Sequence, residues 1–148
     1  MIWGNKMDEK AFYPFDIQQV RISRPTNQLA ALMRFYRDGL GLEILLEFTS
    51  DAAGYGGVVF RLPETRIHLE FCTHIHGFTD PRPPTKENLL VLYISKPDQV
   101  IQLEQRMSQL GFPSVPATNP HWDKGGVTFE DPNGWRVVLM HRSNIENN

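Results

Sequence analysis

Two stretches decide how this chain folds: GGVVFRLPETRIHLEF, from Gly56 to Phe71, and GGVTFEDPNGWRVVLMH, from Gly125 to His141. Each opens on Gly-Gly, runs through alternating apolar residues, turns at a proline and leaves through a second alternating run. A period of two puts successive side chains on opposite faces of a strand. Each stretch therefore reads as a β-hairpin, and the two hairpins share one design. A hairpin used twice implies a module used twice, and paired modules indicate where a binding cleft should lie.

Working outward, Ile17 to Ser23 reads as a strand that Arg24-Pro25-Thr26-Asn27 ends, because proline cannot continue a ladder. Thr26 or Asn27 can cap the helix that follows. Its apolar face is Leu29, Leu32, Met33, Tyr36 and Leu40, spaced for 3.6 residues per turn. Gly39 and Gly41 suit its C-terminal cap. Leu42 to Thr49, Tyr55 to Leu62 and Arg66 to Cys72 complete the first set of strands. Pro81, Pro83 and Pro84 make residues 73–87 a linker.

The order then restarts. Leu89 to Ser95 is a strand, and Pro97 opens a helix with Val100, Leu103, Met107 and Leu110 on one face. Gly111 caps it, Phe112 to Val115 is a short strand, and the loop from Pro116 to Lys124 carries His121 and Trp122. Asp131-Pro132-Asn133-Gly134 is a strong turn signal inside the second hairpin. Three further anchors recur in order: Ser23-Arg24-Pro25 with Ser95-Lys96-Pro97, Gly41-Leu42 with Gly111-Phe112, and Gly56-Gly57 with Gly125-Gly126. The expected class is α+β. Two pseudo-symmetric βαβββ modules are expected at 17–72 and 88–142, with an arm at 1–16, a linker at 73–87 and a tail at 143–148.

A chain of 148 residues can bury a core within one domain. Its net charge of −2 and lack of basic runs interleaved with aromatics give no reason to expect a nucleic-acid partner. No stretch reaches the roughly 18 apolar residues of a membrane span, and the start lacks the apolar run of a signal peptide. The lone Cys72 rules out an internal disulfide and suits a reducing cytoplasm, where it reads as a buried structural thiol. Trp3, Phe12, Tyr13 and Phe15 could pin the arm to a surface.

Phe35-Tyr36-Arg37-Asp38-Gly39-Leu40-Gly41-Leu42 after the first helix carries a family likeness, as does Phe129-Glu130-Asp131-Pro132-Asn133-Gly134 before the last strand. With these, the chain resembles the vicinal oxygen chelate superfamily of glyoxalases, extradiol dioxygenases, fosfomycin-modifying enzymes and bleomycin-resistance proteins, over roughly residues 17 to 142. The resemblance implies a curled, open, barrel-like sheet with helices outside, a cleft within it, and a homodimer, side by side or with exchanged modules. In the superfamily's metalloenzymes, ligands come from the first and last strand of each module. Carried over, those positions fall on Arg21 (or Ile17), His68, Leu89 and Val138. Of these, His68 alone suits a metal that normally needs about three protein ligands. The expectation is therefore no catalytic metal and no cofactor.

His68 and Glu70 lie two apart on one strand and share a face, which Arg21 would join from the first strand. Such a set can bind a polar or anionic group, or its members can satisfy one another. Trp122 sits in a loop that needs no core aromatic, so it reads as a ligand contact. Phe48, Phe60, Phe129 and Trp135 offer further aromatic surface or ordinary core. The string His68, Glu70, His74, His76 is weak as a metal site, since the last two read as loop residues. The favoured reading is a small-molecule binder using Arg21, His68, Glu70 and Trp122, with no catalytic residue assigned. The alternative is a metal-dependent lyase, isomerase or dioxygenase with a displaced site around His68 and Glu70. A third is an interaction module contacting partners through the arm.

Overall fold

The computed structural model describes residues 14–141. Its elements run β1 (Val20–Pro25), α1 (Leu29–Met33, widening into a π-type turn over Arg34–Gly39), β2 (Glu43–Phe48), β3 (Tyr55–Arg61), β4 (Ile67–His74), β5 (Leu89–Tyr93), α2 (Pro97–Gln109), β6 (Gly126–Glu130) and β7 (Arg136–Met140). They form two open sheets, ordered β1-β4-β3-β2 and β5-β7-β6. In each, the first strand pairs in parallel with the last, and the hairpin lies beside it. The expected α+β class and pseudo-symmetric layout hold. The second half is less complete: the strand expected at Phe112 to Val115 is a single bridge, Val115 to Thr128. The arm aromatics Trp3, Phe12 and Tyr13 and the tail at 143–148 lie outside the described residues.

One continuous core joins the halves. The helix-side face of the first sheet contributes Val58, Phe60, Leu69 and Phe71, and that of the second contributes Phe129, Val137 and Leu139. Leu32, Phe35 and Tyr36 of α1 and Val100 and Met107 of α2 pack on them. Leu32, Phe35, Tyr36 and Gly39 fall at i, i+3, i+4 and i+7, so the buried stripe includes Phe35, which the face read from the sequence leaves out. Gly39 is where the helices meet, since the Met107 sulfur occupies the place of any side chain there.

Two boundaries differ from expectation. β1 begins at Val20 and runs through Pro25, while Ile17 to Gln19 is exposed coil. Pro25 is tolerated because β1 is an edge strand, where its missing N–H faces away from the ladder. The helix is entered at Gln28, without a side-chain cap; Thr26 Oγ1 instead accepts from the Gln28 amide. His74, expected in the linker, ends β4, and Asn27 clamps the linker by bonding Phe78 in both directions.

The pairing also corrects the match between hairpins. The first turn closes from the Leu62 amide to the Ile67 carbonyl, the second from Asp131 to Trp135, one residue sooner. His68 pairs with Arg61, and Arg136 pairs with Glu130. His68 therefore corresponds to Arg136, and Glu70 to Val138. The strand ends shift likewise: Thr26 bonds Cys72 as Ile94 bonds Met140. Ser23-Arg24-Pro25 thus does not match Ser95-Lys96-Pro97; Arg24 corresponds to Leu92.

Candidate functional site

On β4, burial of Leu69 and Phe71 toward the helices turns His68, Glu70 and Cys72 to the opposite, helix-free face. β1 places Arg21 beside His68 and Ser23 beside Glu70. The Arg21 guanidinium Nη2 lies 3.4 Å from His68 Nδ1. Three of the sequence-selected residues, Arg21, His68 and Glu70, are thus gathered on one polar surface. Burial, and then Glu70, raises the Cys72 thiol above its ordinary value, so this cysteine is not an activated nucleophile.

Trp122 is on the other half. It sits in a short 3-10 turn, Pro120–Asp123, whose start is capped by Asn119. This loop folds onto the helix-free face of the second sheet, where the Trp122 carbonyl fills the space a side chain at Gly126 would need. The same loop receives the buried Arg136, which donates to the Pro116 carbonyl and pairs with Glu130 at 3.4 Å. Among the described residues, no hydrogen bond or ring contact joins Trp122 to Arg21, His68 or Glu70. Sequence reading misses Arg136 because it matches the hairpins one turn residue out.

The aromatic candidates divide. Phe60 and Phe129 are core. Trp135 lies beneath the buried Arg24, whose guanidinium carbon is 4.2 Å from the ring centroid. Beside them the Tyr36 hydroxyl donates to Asp131 at 2.6 Å. Burial lifts Tyr36 well above its usual value, with Asp131 adding to the rise. Burial likewise raises the Asp131 carboxyl. This cluster ties α1 to the β6–β7 turn.

The donor set does not fit the superfamily's divalent metal. His68 is opposed by a guanidinium, which repels a cation, and Glu70, Cys72 and His74 share its face strung out along β4 rather than converging on one point. The matching positions on the second sheet are Arg136 and Val138, neither a metal ligand. Among the described residues, no group of three His, Cys, Asp or Glu is placed to hold a metal ion.

Models of the YycE-like N-terminal and C-terminal domains match residues 20–72 and 87–141. Protein YycE of Bacillus subtilis (strain 168) is 42% identical over 136 residues, 92% of this chain and 96% of that one. The chain belongs to the YycE-like family. A 2.0 Å crystal structure of YycE from Bacillus subtilis matches with a TM-score of 0.80 over 88% of this chain and 93% of that one. More distant likenesses show the fold alone. Leishmania major glyoxalase I has a TM-score of 0.62 at 15% identity, covering 84% of this chain and 86% of that one. TnmS3, an antibiotic binding protein from Streptomyces sp. CB03234, has 0.61 at 20% identity, covering 88% and 100%. This YycE-like chain therefore carries the glyoxalase, bleomycin-resistance and dioxygenase fold of the vicinal oxygen chelate superfamily. No helix among its described residues is long and apolar enough to cross a membrane.

Proposed function

We propose that this YycE-like protein binds a small organic molecule on the helix-free face of its first sheet, without a catalytic metal. The observation that carries this reading is the polar group of Arg21, His68 and Glu70 on one open face. Arg21 supplies a planar donor for an anionic or carbonyl group, His68 a donor or acceptor, and Glu70 an acceptor. The antibiotic-binding activity of a protein with the same fold supports the reading by analogy.

The second sheet's corresponding face is apolar at Val91, Val138 and Met140. A homodimer, side by side or with exchanged modules, is proposed to bring Trp122 over the polar face; Val138 and Met140 are already buried within their own chain and are not free to close it. Ligand pockets combine a mostly apolar lining with a few polar groups. The protein is proposed to act in the cytoplasm, in line with its single cysteine.

The test is calorimetric titration of an identified ligand against His68→Ala and Trp122→Ala. We expect about tenfold weaker binding for each, corresponding to roughly 1.4 kcal/mol. Unchanged binding in both would remove the site from this face. Elemental analysis of protein purified without chelator addresses the metal-dependent lyase, isomerase or dioxygenase alternative. Stoichiometric Zn, Ni, Mn or Fe, lost on His68→Ala, would reverse the preference.

A further inference from the structure

A cavity of about 720 Å³ opens on the helix side of the molecule, between β1 and β5. Ile22, Leu40, Ile67, Leu92, Leu103 and Leu139 are among its walls. Its volume lies within the roughly 300–1,000 Å³ of pockets that take drug-sized molecules. It faces away from Arg21, His68 and Glu70, and its chemistry is independent of the function proposed for them.

The pairing explains why the space exists. The cavity lies where the β3–β4 turn approaches α2, and its pseudo-symmetric counterpart is where the β6–β7 turn meets α1. That counterpart is filled by Arg24, Phe35, Tyr36 and Trp135. The corresponding residues here are Leu92, Leu103 and Ile67, while Glu104, at the Tyr36 position, does not line the cavity. Smaller side chains stand where an arginine and three aromatics would close the gap.

Its polar groups gather at one end. Glu64 and Thr65 come from the β3–β4 turn, and Ser95 and Gln99 from the start of α2. Among the described residues, no lysine, arginine or histidine lines the cavity. Glu64 also holds a φ of 58°, a conformation usually left to glycine or asparagine. Strained backbone of this kind clusters at ligand clamps.

We propose that this cavity is a second binding site, for an amphipathic molecule with an aliphatic body and an uncharged or cationic hydrogen-bonding head. The body lies along the leucine and isoleucine walls. The head meets the Ser95 hydroxyl, the Gln99 amide and the Glu64 carboxylate, while the Thr65 hydroxyl is held in the turn, donating to the Leu62 carbonyl and accepting from the Ile67 amide. An anionic head finds no counter-charge there and is excluded.

The full chain, labelled with ¹³C at Ile, Leu and Val methyls, is titrated with 1-decanol below its solubility limit and with decyltrimethylammonium and decanoate below their micelle thresholds. Saturable shifts at Ile22, Leu92, Leu103 and Leu139 are expected with the first two, and decanoate should bind at least tenfold more weakly. Leu103→Phe and Leu92→Phe should each weaken 1-decanol binding at least tenfold while keeping a folded spectrum and an unchanged oligomeric state. Absent shifts, equal binding of decanoate, or undiminished binding in both folded variants would overturn the proposal. So would loss of a dimer in the filled variants, which would assign the space to a second copy. If neither variant folds, the comparison of 1-decanol with decanoate on the unaltered chain still decides.

Discussion

Where the β6–β7 turn meets α1, Tyr36, Asp131, Arg24 and Trp135 fill the joint between the halves; where the β3–β4 turn approaches α2, aliphatic side chains leave it open. Both times a hairpin turn meets the helix of the other half. The differences at the two joints lie in a few side-chain identities, one turn residue and the π-type turn that α2 lacks. On the closed side, Asn133 adds bonds to Thr26 Oγ1 and the Pro25 carbonyl, and Gln28 reaches the Pro132 carbonyl. Local strength is therefore expected to be unequal, with the closed joint holding the halves together.

The most damaging way to break the comparison is Tyr36→Ala. It removes a fully buried aromatic and strands the Asp131 carboxylate, so a loss of about 3–5 kcal/mol is expected in urea denaturation. A loss below about 1 kcal/mol would show that the joint is not what binds the halves. Next comes Gly57→Ala. Gly57 has a φ of 152°, and a side chain there would run into the Phe71 carbonyl. About 2–4 kcal/mol should be lost, measured as a shift in denaturation midpoint.

Tyr36→Phe is milder and depends on pH. Burial raises the folded pKa of Asp131, so its favourable contribution is complete below the unfolded value of about 3.9 and is lost as pH rises through the folded value. The Tyr36 hydroxyl opposes that loss by bonding the carboxylate. Without it the folded pKa rises further. The penalty of Tyr36→Phe should be small below about pH 4 and grow to about 1–3 kcal/mol at neutrality. A penalty independent of pH would exclude Asp131 as its source. Smallest is the effect at the open joint: Leu103→Phe should stabilise by about 1 kcal/mol by filling space, and a clear fall in melting temperature would show that the space is already occupied.

Much of the fold is legible in the sequence because alternation and turn chemistry are local. The hairpins, the Gly-Gly starts and the positions of both helices need no tertiary information. The hairpin match fails by one residue because both turns contain proline and both flanks alternate; the closing bond alone separates Leu62–Ile67 from Asp131–Trp135. Pro25 reads as a breaker because edge position is a property of the sheet. The grouping of Arg21, His68 and Glu70 follows from parity. The role of Trp122 does not, since the loop's seat on Gly126 depends on a packing contact from outside its hairpin.

Trp135 carries one more consequence. Its indole is pressed against a guanidinium at the junction of the two halves. Solvation of that ring changes when the junction parts, so its fluorescence is a built-in gauge of separation. Replacing Trp122 with phenylalanine would reduce the background, and Trp3 in the arm could be replaced in the same way. A red shift preceding loss of far-ultraviolet circular dichroism would reveal the halves coming apart while each still holds its strands.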